Sequence, residues 1–177
     1  MYRQSIKKIV LCAMLAALCC LSTLVVQIPA PLVGYLNLGD CVVLTAAFLL
    51  GPWYGALAAG IGSALADLLS GFVQYVPATF VFKGLVAMVA GLLFAALKSK
   101  ASRPWLARLV GALLGECIMV AGYFAYEAWV LGYGLAAISG MPFNLIQAAL
   151  GIVTSLLLCA LLLRIPGIES HLPGKKE

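Results

Sequence analysis

The chain has 177 residues, of which 64% are hydrophobic and only 10% charged, and its mean hydropathy is +1.12. A soluble domain carries roughly 25% charged residues, so the composition excludes an ordinary soluble enzyme and points to a polytopic membrane protein. The net charge of +5 does not imply nucleic acid: every Lys and Arg except Lys83 lies at the N-terminus, around residues 98–108 or towards the C-terminus, where such clusters act as topology signals.

At about 20 residues per span, this length allows at most six membrane helices, and no period-2 alternation supports a β-barrel. The expected fold is therefore all-α. Residues 1–177 form one membrane domain with six transmembrane helices, roughly 6–26, 40–50, 53–70, 77–97, 105–131 and 142–164. The positive-inside rule puts all three basic clusters, and so both termini, in the cytoplasm.

The first helix follows Lys7 and Lys8 and is too long, and too poor in small-x-small cleavage pattern, for a signal peptide. It carries Ala13 and Ala17 one turn apart on one face. The following QIPAPLVGYLNLG, residues 27–39, is too rich in Pro and Gly to stay helical. It is expected to form a stiff external loop that offers Tyr35 and Asn37 and dips partly into the membrane. Asp40 is suited to cap the short second helix.

Gly51 and Pro52 make a tight turn into the third helix, where Gly55, Ala59, Ser63, Asp67 and Gly71 recur at every fourth position. That spacing predicts one face of small residues, close against a neighbouring helix. Asp67 at the outer end and Lys83 in the fourth helix are costly in lipid, at about 2.5–3.5 kcal/mol each, so both must face protein or a pocket. An Asp67–Lys83 ion pair is one expectation for them. Thr79 and Lys83 share a face, as do Glu116, Tyr123 and Glu127 in the fifth helix. A Gly-rich external loop, residues 132–141, then leads to a sixth helix with Asn144 and Gln147 in its first turns. The tail beyond Arg164 is expected to be polar and frayed.

Mapped by depth, the polar side chains gather at the outer end. Among them Asp67, Thr79, Lys83, Glu127, Asn144 and Gln147 are embedded rather than in loops, with Trp129 nearby as an expected fluorescent reporter. Polar groups converging among aromatics describe a small-molecule site, although any one of them could instead hold two helices together. Glu116 is deeper and reads as structural. The six cysteines lie in apolar segments without CxxC spacing, which predicts packing rather than a zinc site or disulfides. Gly60-Ile61-Gly62 lacks the GK[ST] ending of a phosphate loop, and no HExxH, nucleophile motif or acidic metal cluster occurs. No catalytic residue, metal or cofactor is expected.

GYLNLGD at residues 34–40 and LLGPWYGALAAGIGSALADLLSGFVQYVPATFVFKGL at residues 49–85 resemble the substrate-binding S components of energy-coupling factor (ECF) vitamin transporters. The similar branch carries the label riboflavin and also includes proteins for pyridoxine and hydroxymethylpyrimidine. The likeness is specific over residues 34–91 and extends to the whole chain in size and six-helix layout. It implies a subunit that binds a B vitamin or precursor from outside, without catalysis. It also implies partners, namely a transmembrane scaffold subunit docked on Ala13 and Ala17 and two cytoplasmic ATPases, in the cytoplasmic membrane. The loop at Tyr35–Asn37 would be the lid, and the pocket implied by the resemblance would draw on Asn37, Thr79, Lys83, Tyr123, Glu127, Asn144 and Gln147. The residues alone leave open a stand-alone ion-coupled carrier and an intramembrane enzyme using Asp67, Glu116 or Glu127.

Overall fold

The structure, a computed structural model, describes residues 2–30 and 34–165, with side chains from Ile6 onward. The polar tail and His171 lie outside the described residues, as do Pro31 and the last two lysines. Six α-helices run as α1 (Tyr2–Val25), α2 (Gly39–Leu50), α3 (Pro52–Leu69), α4 (Val76–Leu97), α5 (Pro104–Ala125) and α6 (Met141–Leu162). Four segments, Ile6–Val25, Val73–Leu97, Pro104–Val130 and Gly134–Leu162, are long and apolar enough to cross a bilayer. Their outer faces present Leu, Ile and Val, for example Leu21, Val81, Leu113 and Leu157, which suits lipid.

Of the two remaining helices, α3 also presents an apolar outer face, with Leu57, Ile61 and Leu65 exposed, whereas α2 is enclosed by protein. Twelve residues of α2 span about 18 Å at 1.5 Å each, short of a bilayer core of about 30 Å. It is buried along its length except at Cys41 and Leu49, packed against α1, α3, α4 and α6. The core forms around it from Val42, Val43, Leu44 and Phe48 with Val86, Ala87, Ala112 and Met119.

Glycines permit that centre. A Cβ on Gly55 would lie 2.7 Å from the Ala47 Cα, and one on Gly151 would lie 2.6 Å from the Asp40 Cβ, so α3 and α6 touch α2 nearly backbone to backbone. Of the small-residue series in α3, Gly55, Ala59, Ser63 and Asp67 are buried, and Ser63 Oγ meets Cys19 Sγ of α1 at 3.3 Å. Gly71 does not share this face. It turns the chain out of α3 with φ +83°, a conformation that glycine adopts without steric cost.

The connections hold more structure than their composition suggests. Two short strands, β1 (Gln27–Pro29) and β2 (Tyr35–Asn37), pair as an antiparallel hairpin, with Ile28 opposite Leu36. Pro29 is tolerated because it ends its strand. A single 3₁₀ turn, Val73–Tyr75, precedes α4. Beyond α5 the chain continues through a π-helical turn, Tyr126–Val130. The expected irregular loop before α6 is instead a 3₁₀ segment, Gly134–Gly140.

Candidate ligand-binding site

The C-terminal ends of α3 and α5 and the N-terminal ends of α4 and α6 meet at the end of the bundle opposite the basic 98–103 connection, with the hairpin folded over them. A cavity opens there, lined by Gly34, Tyr35 and Asn37 of the hairpin, Asp67, Phe72, Tyr75 and Thr79, and Tyr123, Glu127, Asn144 and Gln147. Its empty space is about 400 Å³ including the open mouth.

Two hydrogen-bond systems shape it. In the upper one, Asp67 accepts from the Tyr35 hydroxyl at 2.6 Å through Oδ1 and from Thr79 Oγ1 through Oδ2. Thr79 has one proton, spent on Asp67, so the Tyr123 hydroxyl, 2.8 Å away, donates to Thr79. Burial first, and then the Asp67 carboxylate, push the Tyr35 hydroxyl well above its ordinary pKa, which keeps it a donor. The hairpin is thus tied to α3, and through Asp67 to α4 and α5.

The lower system is fully buried. Lys83 pairs with Asp40 Oδ1 at 2.5 Å, Gln147 donates to Asp40 Oδ2 at 2.6 Å, and Gln147 Oε1 accepts the Asn37 backbone N–H at 2.9 Å. The Lys83 ammonium also lies 5.7 Å from the Tyr123 ring centre, within cation–π range. One glutamine therefore links the lid strand β2 to the ion pair beneath the cavity.

The comparisons bear on what such a site serves. A family model described as "ECF-type riboflavin transporter, S component" matches residues 3–164. The chain belongs to this S-component family. It is accordingly a multi-pass membrane protein of a transport family. Among curated proteins, the thiamine precursor transporter HmpT of Lactococcus lactis subsp. cremoris (strain MG1363) is 31% identical over 93% of this chain and 92% of its own. An uncharacterized Pyrococcus woesei protein is 35% identical over 75% of this chain and 85% of its own. Among solved structures, the S component for biotin from an ECF-type ABC transporter superposes with TM-score 0.70 at 19% identity, covering 97% and 98% of the two chains. A second bacterial ECF S component gives 0.65 at 24%, covering 89% and 96%. At these identities the structures speak for the fold.

Within this S component, Asn37, Thr79, Tyr123, Glu127, Asn144 and Gln147 line one cavity. Lys83 does not: it is 3% exposed and lies below, on Asp40. The expected Asp67–Lys83 pair is therefore replaced. Asp67 sits level with Thr79 and is filled by two hydroxyls, whereas Lys83, one turn further in, reaches the start of α2. Asp40 does not cap α2 either. Leu38 holds the cap position without a side-chain bond, and the Asp40 carboxylate turns inward. Trp129 is 79% exposed and faces away, so tyrosines rather than tryptophan surround the site.

Sequence reasoning passed over Phe72 and left Tyr35 and Tyr75 as loop residues. Phe72 packs against Tyr35 in a tilted ring pair, 4.9 Å between ring centres, and Tyr75 is buried beside Tyr123 and Tyr126. Their clustering within residues 72–75, next to an ionisable helix end, was the available signal. Glu116 is 2% exposed, and neither of its oxygens has a hydrogen-bond partner among the described residues.

Proposed function

We propose that this chain is the substrate-binding subunit of an ECF-type importer, capturing a single-ring heteroaromatic vitamin or vitamin precursor from outside the cytoplasmic membrane. The carrying observation is the polar, tyrosine-walled cavity at one end of the bundle, closed by a hairpin that shares its hydrogen bonds. Rings stack on aromatic faces, while Asn144, Thr79 and the carboxylates address ring nitrogens and hydroxyls. The cavity, about 400 Å³ even with its open mouth, is at the small end for ligand pockets, which favours a pyrimidine or pyridine, such as hydroxymethylpyrimidine or pyridoxine, over tricyclic riboflavin. The thiamine-precursor activity in HmpT's name supports the same choice.

The remaining topology follows this reading. The whole chain acts as one membrane domain of six helices, with both termini and the basic 98–108 region in the cytoplasm and the cavity facing out. Ala13 and Ala17 lie exposed on one face of α1, the face proposed to meet a transmembrane scaffold subunit that works with two ATPases. The subunit itself catalyses nothing.

Proteoliposome uptake tests the assignment. Labelled pyrimidine or pyridine should accumulate only when scaffold and ATPases are co-reconstituted and ATP is enclosed. Changing Ala13 and Ala17 both to Leu should abolish accumulation while leaving binding unchanged. Uptake by the chain alone would instead establish an ion-coupled carrier, and chemical conversion of the compound an enzyme.

A further inference from the structure

Two carboxylates line the cavity, and they differ. Asp67 is filled, each oxygen accepting from a close hydroxyl. Glu127 is 5% exposed, yet its only side-chain hydrogen bond is from the Tyr75 hydroxyl at 3.4 Å, longer than an effective O–H···O contact. Its other oxygen, Oε2, has no partner among the described residues. A buried carboxylate oxygen without a donor is costly, and Glu127, unlike the equally unpartnered Glu116, lines the cavity, where a ligand can supply one. The backbone around it is specialised too: Glu127 belongs to the π-helical turn, a form that recurs at functional sites. Gly140 lies beside it, where a Cβ would come within 3.2 Å of Oε2.

The cations complete the picture. Among the described residues no lysine, arginine or histidine lines the cavity. Lys83 is below, committed to Asp40. An anionic ligand would meet two carboxylates and no cationic side chain among the described residues, whereas phosphate recognition commonly draws on Arg or Lys.

We infer that the site selects an unphosphorylated, amino-bearing single-ring heterocycle, whose N–H group donates to the Glu127 carboxylate. This rests on the cavity being the ligand site, and it adds a specificity rule: amino over oxo, and free alcohol over phosphate ester. Glu127 is the residue that reads it.

The test is calorimetric titration of the purified full chain with 4-amino-5-hydroxymethyl-2-methylpyrimidine, its 4-oxo analogue, its phosphate ester, pyridoxine and riboflavin. The amino alcohol should bind, with the oxo analogue and the phosphate ester each about 10- to 100-fold weaker, the loss expected when a charged hydrogen bond goes unmade. Glu127→Gln replaces an acceptor-only carboxylate by an amide that can also donate to an oxo group, and should shrink the amino-over-oxo ratio about tenfold, a change that a purely structural role would not produce. Should Glu127→Ala fail to fold, the near-isosteric Gln variant carries the test. Equal affinity for the oxo analogue or the phosphate ester would overturn the inference, as would an unchanged ratio in Glu127→Gln. Tight binding of pyridoxine or riboflavin with none of the amino alcohol would also overturn it, while leaving a heterocycle-binding subunit intact. No binding across the panel would overturn both.

Discussion

At the scale of residues, the cavity rests on a buried charge pair whose members come from helices far apart in sequence. Lys83 and Asp40 are 3% and 0% exposed, so removing one strands the other in a medium that cannot solvate it. Lys83→Met should destabilise the chain by about 3–5 kcal/mol, read as a lowered unfolding midpoint in detergent. Combining it with Asp40→Asn should recover much of the loss, because no uncompensated charge then remains; additive losses would mean that the pair is not coupled. Part of this arrangement was legible in advance. Thr79, Tyr123, Glu127 and Gln147 are polar groups at membrane depth, and the expense of exposing such groups to lipid sends them inward together. Which acid takes Lys83 was not legible. Asp40 opens a helix and looks like a cap, and only the rotation and depth of α2 against α4 bring it to the ammonium.

At the scale of elements, the hairpin is, on the proposed reading, the part that would couple most directly to a ligand. Its attachments run through the Tyr35 hydroxyl to Asp67 and through the Asn37 backbone to Gln147. Tyr35→Phe keeps the ring on Phe72 and removes only the hydroxyl. It should weaken binding by about 1–2 kcal/mol, expressed in stopped-flow kinetics as faster release with nearly unchanged association, since the lid opens more readily. A slowed association with unchanged release would contradict a latch at this position. The long helices could be drawn from hydropathy alone, and Gly51-Pro52 marked the turn between α2 and α3. The hairpin could not: its strands have three residues each, Pro and Gly dominate the segment, and the pairing is stabilised by the helices beneath rather than by β-propensity. The π-helical turn at Glu127 likewise has no signature in the surrounding apolar sequence.

At the scale of the whole molecule, function is divided between two ends and one face. Polar and aromatic groups occupy the end with the lid, the basic connection occupies the other, and α1 carries exposed Ala13 and Ala17 along its side. Gly151 and Gly55 allow α2, too short to span lipid, to sit at the centre and hold Asp40 under the cavity, so the binding end is built on a close-packed scaffold. The family was readable from residues 34–91, because the small-residue face, Asp67 and the turn into α4 occur there in one continuous run. The ligand was not, since it depends on how much space five separated segments leave between them.

The most direct measurement is the stoichiometry and affinity of ligand binding by the detergent-purified chain with no partner present, by calorimetry across single-ring and tricyclic vitamins. The account predicts one tight site per chain for a single-ring heterocycle and much weaker binding of riboflavin. Tight riboflavin binding, or the absence of any site until a scaffold subunit is added, would contradict it.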